Sequence, residues 1–99
     1  MSALTDGVPP VPVPSIGRIV HYRLSEHDAE AITAARNNSE GRDRGNVVVA
    51  GQSYPATVVR TFGGHAANLQ VHLDGTDTYW ATSRVPGEDN GQWCWPARV

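Results

Sequence analysis

The stretch "ANLQVHLDGTDTYWATSRV", residues 67–85, decides the class of fold. Apolar and polar side chains alternate one by one along residues 67–73, which is the pattern of a strand with one face buried. Asp74 and Gly75 follow at once, and this dipeptide is a strong signal for a hairpin turn. Residues 78–85, "TYWATSRV", are rich in β-branched and aromatic side chains and bring the chain back. The stretch therefore predicts an antiparallel hairpin.

Two pairs of aromatic residues bear on both the core and the function. Tyr79 and Trp80 are neighbours in a predicted strand, so one must point into the core and the other away from it. Trp93 and Trp95, in the stretch "GQWCWP", are two residues apart and share a face if that segment is extended. Such a pair can seal the open end of a small core, which is the commoner use of Trp. It can also offer a stacking surface to a ligand.

Other short segments predict further strands. They are residues 16–23, 46–50 and 54–62, and residues 92–99 close the chain. Five or six short strands joined by Gly- and Asp-containing turns are typical of a small, strongly bent antiparallel barrel. We therefore expect an all-β protein with a small SH3-like or Tudor-like barrel.

One segment carries the pattern of a helix. In residues 25–37, "SEHDAEAITAARN", Ser25 followed by Asp28 resembles a capping box, and the alanines favour helix. Ile32 is the only large apolar residue, so the helix should lie on the surface rather than in the core. Residues 37–46 are polar and contain glycine, which predicts a mobile loop.

The length of 99 residues indicates one domain. Residues 1–14 are rich in proline and predict a flexible arm with a preference for polyproline II. The arm is either a solvated leader or a segment that packs on a neighbouring subunit. Residues 15–99 should form the single barrel domain, with the helix and the mobile loop inserted at about residues 24–46.

The bulk composition excludes several classes of function. A net charge of −2 argues against binding long nucleic acid, because that affinity comes from neutralised phosphates. The single cysteine permits no intramolecular disulfide and favours a reducing cytosol. The sequence has no apolar run of about 20 residues and no start typical of a signal peptide, so we expect no association with a membrane.

The basic residues of the chain are all arginine. Arginine makes bidentate contacts to phosphate and stacks on rings, whereas lysine is the common solubilising residue. Arg18, Arg60 and Arg84 fall inside predicted strands, which suggests a built site for an anion. The alternative is that these side chains simply lie along the surface with their charged ends in water.

No pattern of residues indicates catalysis, a metal or a cofactor. The four histidines lack the spacings that metal sites require. Cys94 lies between two tryptophans, and we expect it to be buried and inert. A hydrolase that uses His65 or His72 with a carboxylate is left open, but nothing selects it. The sequence therefore favours a protein that is not an enzyme and needs no cofactor.

Four segments, "GRIVHY", "NLQVHLDG", "YWATS" and "GQWCWP", occur in this order between residues 16 and 97. In these segments and their order, the sequence resembles a family of small, uncharacterised proteins of tailed bacteriophages. The resemblance implies a phage origin and a compact β fold, and it implies no established activity. It also implies the cytoplasm of an infected bacterium as the location, with the virion as the alternative.

A phage origin and the composition together suggest a first function, which is sequestration of a nucleotide-like immune second messenger. Arginines would hold the phosphates and aromatic rings would stack on the bases. We expect a homo-oligomer, since a small domain forms a deep site most easily between subunits. The residues expected to bind the ligand are Arg60, Arg84, Asn68, His72, Tyr79, Trp93 and Trp95.

The sequence leaves two other functions open. The chain could be a virion or head–tail component, or a protein-interaction module in which the Trp pair docks a partner. It could also be a small phosphodiesterase that degrades such a signal.

Overall fold

The computed structural model describes residues 11–38 and 45–97. Within these residues, one helix and five strands follow one another. They are β1 (Ile19–Arg23), α1 (Glu26–Asn37), β2 (Ser53–Thr61), β3 (Ala67–His72), β4 (Thr78–Arg84) and β5 (Trp93–Cys94). The hairpin predicted from residues 67–85 is formed by β3 and β4, which pair antiparallel with Val71 opposite Tyr79.

The five strands form one antiparallel sheet in the order β4-β3-β2-β1-β5. The two ends of this sheet meet. Pro86, just after β4, forms a parallel bridge with Trp93 of β5. The Gly87 N–H donates to the Trp93 carbonyl at 2.9 Å, and the Trp93 N–H donates to the Val85 carbonyl at 3.2 Å. The sheet therefore closes into the expected all-β, SH3-like barrel, with α1 inserted between β1 and β2.

A bulge changes the alternation in β2. Val58 lies opposite Leu69 and Arg60 opposite Asn68, so β2 has one residue more than β3 over this interval. Val58 is buried, and regular alternation would place Arg60 on the same, inner face. Because of the extra residue, Arg60 lies outside instead.

A second bulge lies in β4, and it turns a side chain inward rather than outward. Ala81 lies opposite Leu69 and Arg84 opposite Ala67, so β4 has the extra residue here. Ser83 takes up the irregularity with a φ of 54°, the only positive φ among the non-glycine residues that the structure describes. As a result Arg84, which regular alternation would place outside, turns toward the core.

The helix begins as the sequence predicts. The Asp28 N–H donates to the Ser25 hydroxyl at 3.0 Å, and the Ser25 N–H donates to the Asp28 carboxylate at 2.9 Å, which is a complete capping box. The guanidinium of Arg36, in the last turn, donates to both carboxylate oxygens of Asp77 at 2.9 and 3.0 Å. The capping box thus closes the first turn, and Arg36 ties the last turn to the connection between β3 and β4.

The core lies inside the barrel and under the helix. Its apolar members are Val20, Tyr22, Leu24, Ile32, Val48, Ala56, Val58, Ala67, Leu69, Val71, Leu73, Ala81 and Trp93. Trp93 and Tyr22 are its largest fully buried side chains. The aliphatic side chains are mostly small, so these two rings fill much of its volume.

The structure corrects the prediction of a strand at residues 46–50. This segment is irregular, and only Val48 of its apolar side chains packs into the core, while Val47 and Val49 are exposed. The closed sheet leaves no free edge for it, because β2 already pairs with β1 and β3. The Val49 N–H donates instead to the side chain of Gln52 at 2.8 Å.

Two other expectations need correction. β1 begins at Ile19 rather than at residue 16, because Ser15 to Arg18 form a turn closed by an N–H···O bond of 3.2 Å. Cys94 is exposed rather than buried, because it alternates with the inward-facing Trp93. Most of the predicted arm, residues 1–10, and of the predicted mobile loop, residues 39–44, lie outside the described residues.

Candidate functional site

The structure places the seven predicted ligand-binding residues in three separate locations. Arg60, Asn68 and His72 lie on the outer face of the sheet; Arg84, Tyr79 and Trp93 lie against the core; Trp95 lies beyond the end of β5. The two bulges separate the arginines, since one turns Arg60 outward and the other turns Arg84 inward. The predicted pair of phosphate-binding arginines is therefore not brought together.

The outer group already has partners on the sheet. The Arg60 guanidinium lies over the Phe62 ring, 5.2 Å from its centroid. The Asn68 carbonyl oxygen accepts the Ser83 N–H at 2.8 Å, so it holds the bulge of β4. A ring nitrogen of His72 is 2.8 Å from the hydroxyl of Thr57.

The inner arginine belongs to a network around a buried carboxylate. Asp28 is 0% exposed. Tyr22 donates its hydroxyl to Asp28 at 2.5 Å, and Tyr79 does the same at 2.7 Å. Arg84 donates from Nη2 at 3.2 Å, and its guanidinium lies 5.6 Å from the centroid of Tyr22. The network joins the first turn of α1 to β1 and β4, so Arg84 and Tyr79 serve the fold.

The network shifts the acidities of its members. Burial would raise the pKa of Asp28, but hydrogen bonds from Tyr22, Ser25 and Tyr79 outweigh it and leave the pKa below its ordinary value. Burial and the bond to Asp28 raise the pKa of Tyr79 to about 12. The same causes raise the pKa of Tyr22 further. At neutral pH the network is therefore a carboxylate that accepts from two neutral phenols and one guanidinium.

The Trp pair forms the boundary between the core and the surface. Trp93 is fully buried, and its indole N–H donates to the Arg84 carbonyl at 3.0 Å. Trp95 is half-buried and meets Trp93 edge to face, with centroids 5.6 Å apart and an angle of 88° between the rings. The guanidinium of Arg18 lies 4.9 Å from the centroid of Trp95. Trp93 therefore completes the core, while Trp95 keeps a face for contacts outside it.

The chain's own proline-rich segment occupies part of that surface. The indole N–H of Trp95 donates to the Pro12 carbonyl at 3.0 Å. One residue earlier, the Val11 carbonyl is 2.9 Å from a ring nitrogen of His65. Pro14 is buried, which fixes the segment where it joins the barrel. A stretch with proline at alternate positions, residues 11–14, thus lies against Trp95 at the end of β5.

An apolar cavity of about 380 Å³ lies beside this contact. It is lined by Val11, Pro12, Pro86, Gly87, Glu88, Trp93, Cys94 and Trp95. We call this cavity and the surface of Trp95 the proline groove. An apolar groove with an indole N–H at its side is suited to an extended, proline-containing chain, whose carbonyls need donors and whose rings need apolar contact.

A second, more polar cavity of about 260 Å³ adjoins the proline groove. It shares Gly87, Glu88, Cys94 and Trp95 with the groove, and its other lining residues are His21, Arg23, Ser53 and Gln92. His21 lies directly opposite Cys94, and Arg23 lies opposite Ser53. We call this cavity the Arg23 cavity.

Several residues that the structure makes prominent could not be identified from local sequence patterns. Asp28 was assigned only to the helix cap, and its burial depends on the distant Tyr22 and Tyr79. Trp80 is 48% exposed on the outer face, so the partition between Tyr79 and Trp80 is confirmed, with the half-buried Tyr79 packed on the core. Pro12 was placed in the arm, and no local pattern indicated its contact with Trp95.

Within residues 11–38 and 45–97, no three His, Cys, Asp or Glu side chains are grouped so that they could hold a metal ion. No helix in this described part is long and apolar enough to span a membrane. No protein-family model, no curated protein and no solved structure matches the chain. The resemblance to tailed-phage proteins therefore stays a prediction.

Proposed function

We propose that this protein is an interaction module that binds an extended, proline-containing segment of a partner protein in the proline groove. The proposal is carried by one observation, which is the hydrogen bond from the Trp95 indole to the Pro12 carbonyl. It corresponds to the protein-interaction module that the sequence left open as an alternative.

The chemistry of the groove favours this class of ligand. A chain in polyproline II makes no internal hydrogen bonds, so its carbonyls are free to accept from a donor such as an indole N–H. Its fixed φ angles also reduce the conformational entropy lost on binding. Contacts with Trp93 and Arg18 hold the Trp95 ring in place. The indole N–H of Trp95 therefore has a defined position.

The chain's own segment competes with any partner for this groove. Val11 and Pro12 form one wall of the cavity, and Pro12 already accepts from the Trp95 indole. Their attachment to the barrel gives them an effective concentration of about millimolar order. A partner must displace the segment, so the apparent affinity of the intact protein is lower than that of the open groove. This competition gives the proposal a distinctive test.

The test uses the full-length protein labelled with ¹⁵N and a synthetic peptide of sequence VPPVPVP, which is that of residues 8–14. The indole signal of Trp95 should move saturably as the peptide is added. The variant Pro12→Gly weakens the internal competitor and should bind the peptide several-fold more tightly. Trp95→Phe keeps a ring but removes the donor, and it should bind more weakly.

Trp80→Phe is the matched control, because Trp80 is an exposed indole on the outer face of the sheet, opposite Gln70, and it lines neither cavity. It should leave peptide binding unchanged. If neither the unchanged protein nor Pro12→Gly binds the peptide at millimolar concentration, while both remain folded, the proposal is wrong.

A second candidate is sequestration of a nucleotide-like second messenger, now at a different place. The observation that favours it is the exposed ring of Trp80, on the same outer face as Asn68, His72 and Arg60, where a base could stack beside polar groups. Native mass spectrometry of protein from infected cells tests it. A bound mass of several hundred daltons, released intact on denaturation, supports sequestration, and release of a cleaved product supports a phosphodiesterase.

The expected homo-oligomer can be tested in the same spectra. Exchange of the segment around Pro12 between two copies would link them without new contacts. A mass that doubles with rising concentration, and that stays single in Trp95→Phe, supports this arrangement.

A further inference from the structure

We infer that the Arg23 cavity is an anion subsite, which binds the carboxylate of an acidic residue that neighbours the proline segment of the partner. This inference rests on the proposed function for the place of the ligand, and it adds the charge that the ligand carries. The partner is thus a segment in which proline and an acidic residue lie close together in sequence.

The guanidinium of Arg23 is held in position but not neutralised. One of its nitrogens, Nη1, donates to the Glu88 carbonyl at 2.6 Å, which anchors the side chain at the wall of the cavity. In the part of the chain that the structure describes, the ion pairs are Arg36–Asp77 and Arg84–Asp28, so Arg23 faces no carboxylate within bonding distance. The remaining guanidinium N–H groups are available to an anion.

Other donors lie beside Arg23 on the same outer face. Ser53 is its cross-strand neighbour, and its hydroxyl can donate. His21 is two residues away along β1, so it points to the same side of the strand. A carboxylate in this cavity can therefore accept from the guanidinium and from other donors at once.

The cavity and the proline groove share one wall, formed by Gly87, Glu88, Cys94 and Trp95. A ligand that lies along Trp95 therefore has the cavity within reach of a neighbouring side chain. The side chain of Glu88 is the one acidic group in the lining, and it opposes an anion there. Removal of the Arg23 charge should therefore weaken the binding of an anion, and removal of the Glu88 charge should strengthen it.

The test compares peptides that differ in one charge. Two peptides carry Glu before or after VPPVPVP, since the ligand could run in either direction, and two matched peptides carry Gln at the same places. All have blocked ends and are titrated against the full-length Pro12→Gly protein. One Glu peptide should bind about three- to fivefold more tightly than its Gln match, and high salt should reduce this difference.

Variants of the protein then assign the charge. Arg23→Gln should abolish the preference for Glu, and Glu88→Gln should increase it. Arg60→Gln removes an exposed arginine of β2 that lines neither cavity, and it should change nothing. Thermal unfolding checks that each variant folds.

Two failures can be distinguished. If none of the four peptides binds, the proposed function is wrong. If Glu and Gln peptides bind equally, or if Arg23→Gln keeps the preference, the anion subsite is wrong while the proline groove stands. The inference is also overturned if the protein prefers the Gln peptides and the variant Glu88→Gln loses that preference, because the cavity would then favour a cation.

Discussion

Trp93 and Trp95 meet edge to face with their ring centroids 5.6 Å apart, yet one is fully buried and the other is half-exposed. Two residues of the same type, two positions apart, thus have different roles. Trp93 fills the core, and its N–H is bonded inside the barrel. Trp95 covers that ring and directs its own N–H to the proline-rich segment.

The same substitution should therefore have different effects on stability at the two positions. Trp93→Phe leaves a cavity and removes the indole donor to the Arg84 carbonyl, and it should lower the free energy of unfolding by about 2–4 kcal/mol. Trp95→Phe keeps an aromatic ring against Trp93 and should cost less than about 1 kcal/mol. Urea unfolding of both variants provides the measurement. Equal losses would contradict the separation of roles.

The buried carboxylate should be one of the most sensitive polar positions. Asp28→Asn keeps the size of the side chain but removes a charge that accepts from Tyr22, Tyr79 and Arg84. We expect a loss of about 2–4 kcal/mol, because buried hydrogen-bond partners are left unsatisfied. Urea unfolding at pH 7 measures it, and Glu30→Gln, an exposed position on the same helix, is the control.

The stabilisation by Asp28 should disappear in acid. The pKa of this group in the folded protein lies below its value in the unfolded chain, so its contribution is complete at neutral pH. It is lost as the pH falls below about 4 and through the lower pKa of the folded state. The difference in stability between the unchanged protein and Asp28→Asn should therefore shrink from pH 5 to pH 2. A constant difference would exclude ionisation as its source.

Ionisation of Tyr79 should lower the stability of the protein at alkaline pH. Its pKa is raised to about 12, so its contribution to stability is complete below about pH 10 and is lost as the pH rises through 12. Tyr79→Phe lacks the hydroxyl and should lose less stability over this interval than the unchanged protein. Thermal unfolding between pH 8 and pH 12 compares them, and parallel curves would contradict the assignment.

The bulge at Ser83 predicts a stabilising substitution. A φ of 54° costs a residue with a Cβ atom roughly 1 kcal/mol, and glycine adopts it freely. Ser83→Gly keeps the N–H that donates to Asn68, so it should raise the stability by some tenths of a kcal/mol. Ser83→Val should lower it by more than 1 kcal/mol. If valine is tolerated without loss, the left-handed conformation is absent in solution.

The two bulges mark the limit of what the sequence could predict. The hairpin at residues 67–85, the helix cap at Ser25 and the class of fold follow from local patterns, and these predictions are confirmed. The face of the sheet on which Arg60 or Arg84 lies depends on one extra residue in its strand. No glycine or other turn residue in the sequence indicates either bulge. A shift of one residue changes the face of every side chain beyond it, so the predicted site was divided.

The contact of Pro12 with Trp95 was also beyond local patterns. It joins the start of the described chain to its end, and a pattern confined to a few residues carries no information about such pairs. The burial of Asp28 has the same origin, because a capping residue on an exposed helix would look identical in sequence.

The pairing of β5 with β1 has a consequence for how the protein folds. β5 comprises only two residues, and it joins the last strand of the chain to the first. This raises the contact order, since the barrel closes only after a large loop has formed, and such folds form slowly for their size. The same short ladder offers few bonds against local opening, so its separation should be among the cheapest partial unfolding events. Each such event would expose the ring of Trp93 to water, and it would leave the edge of β1 free to pair with another chain.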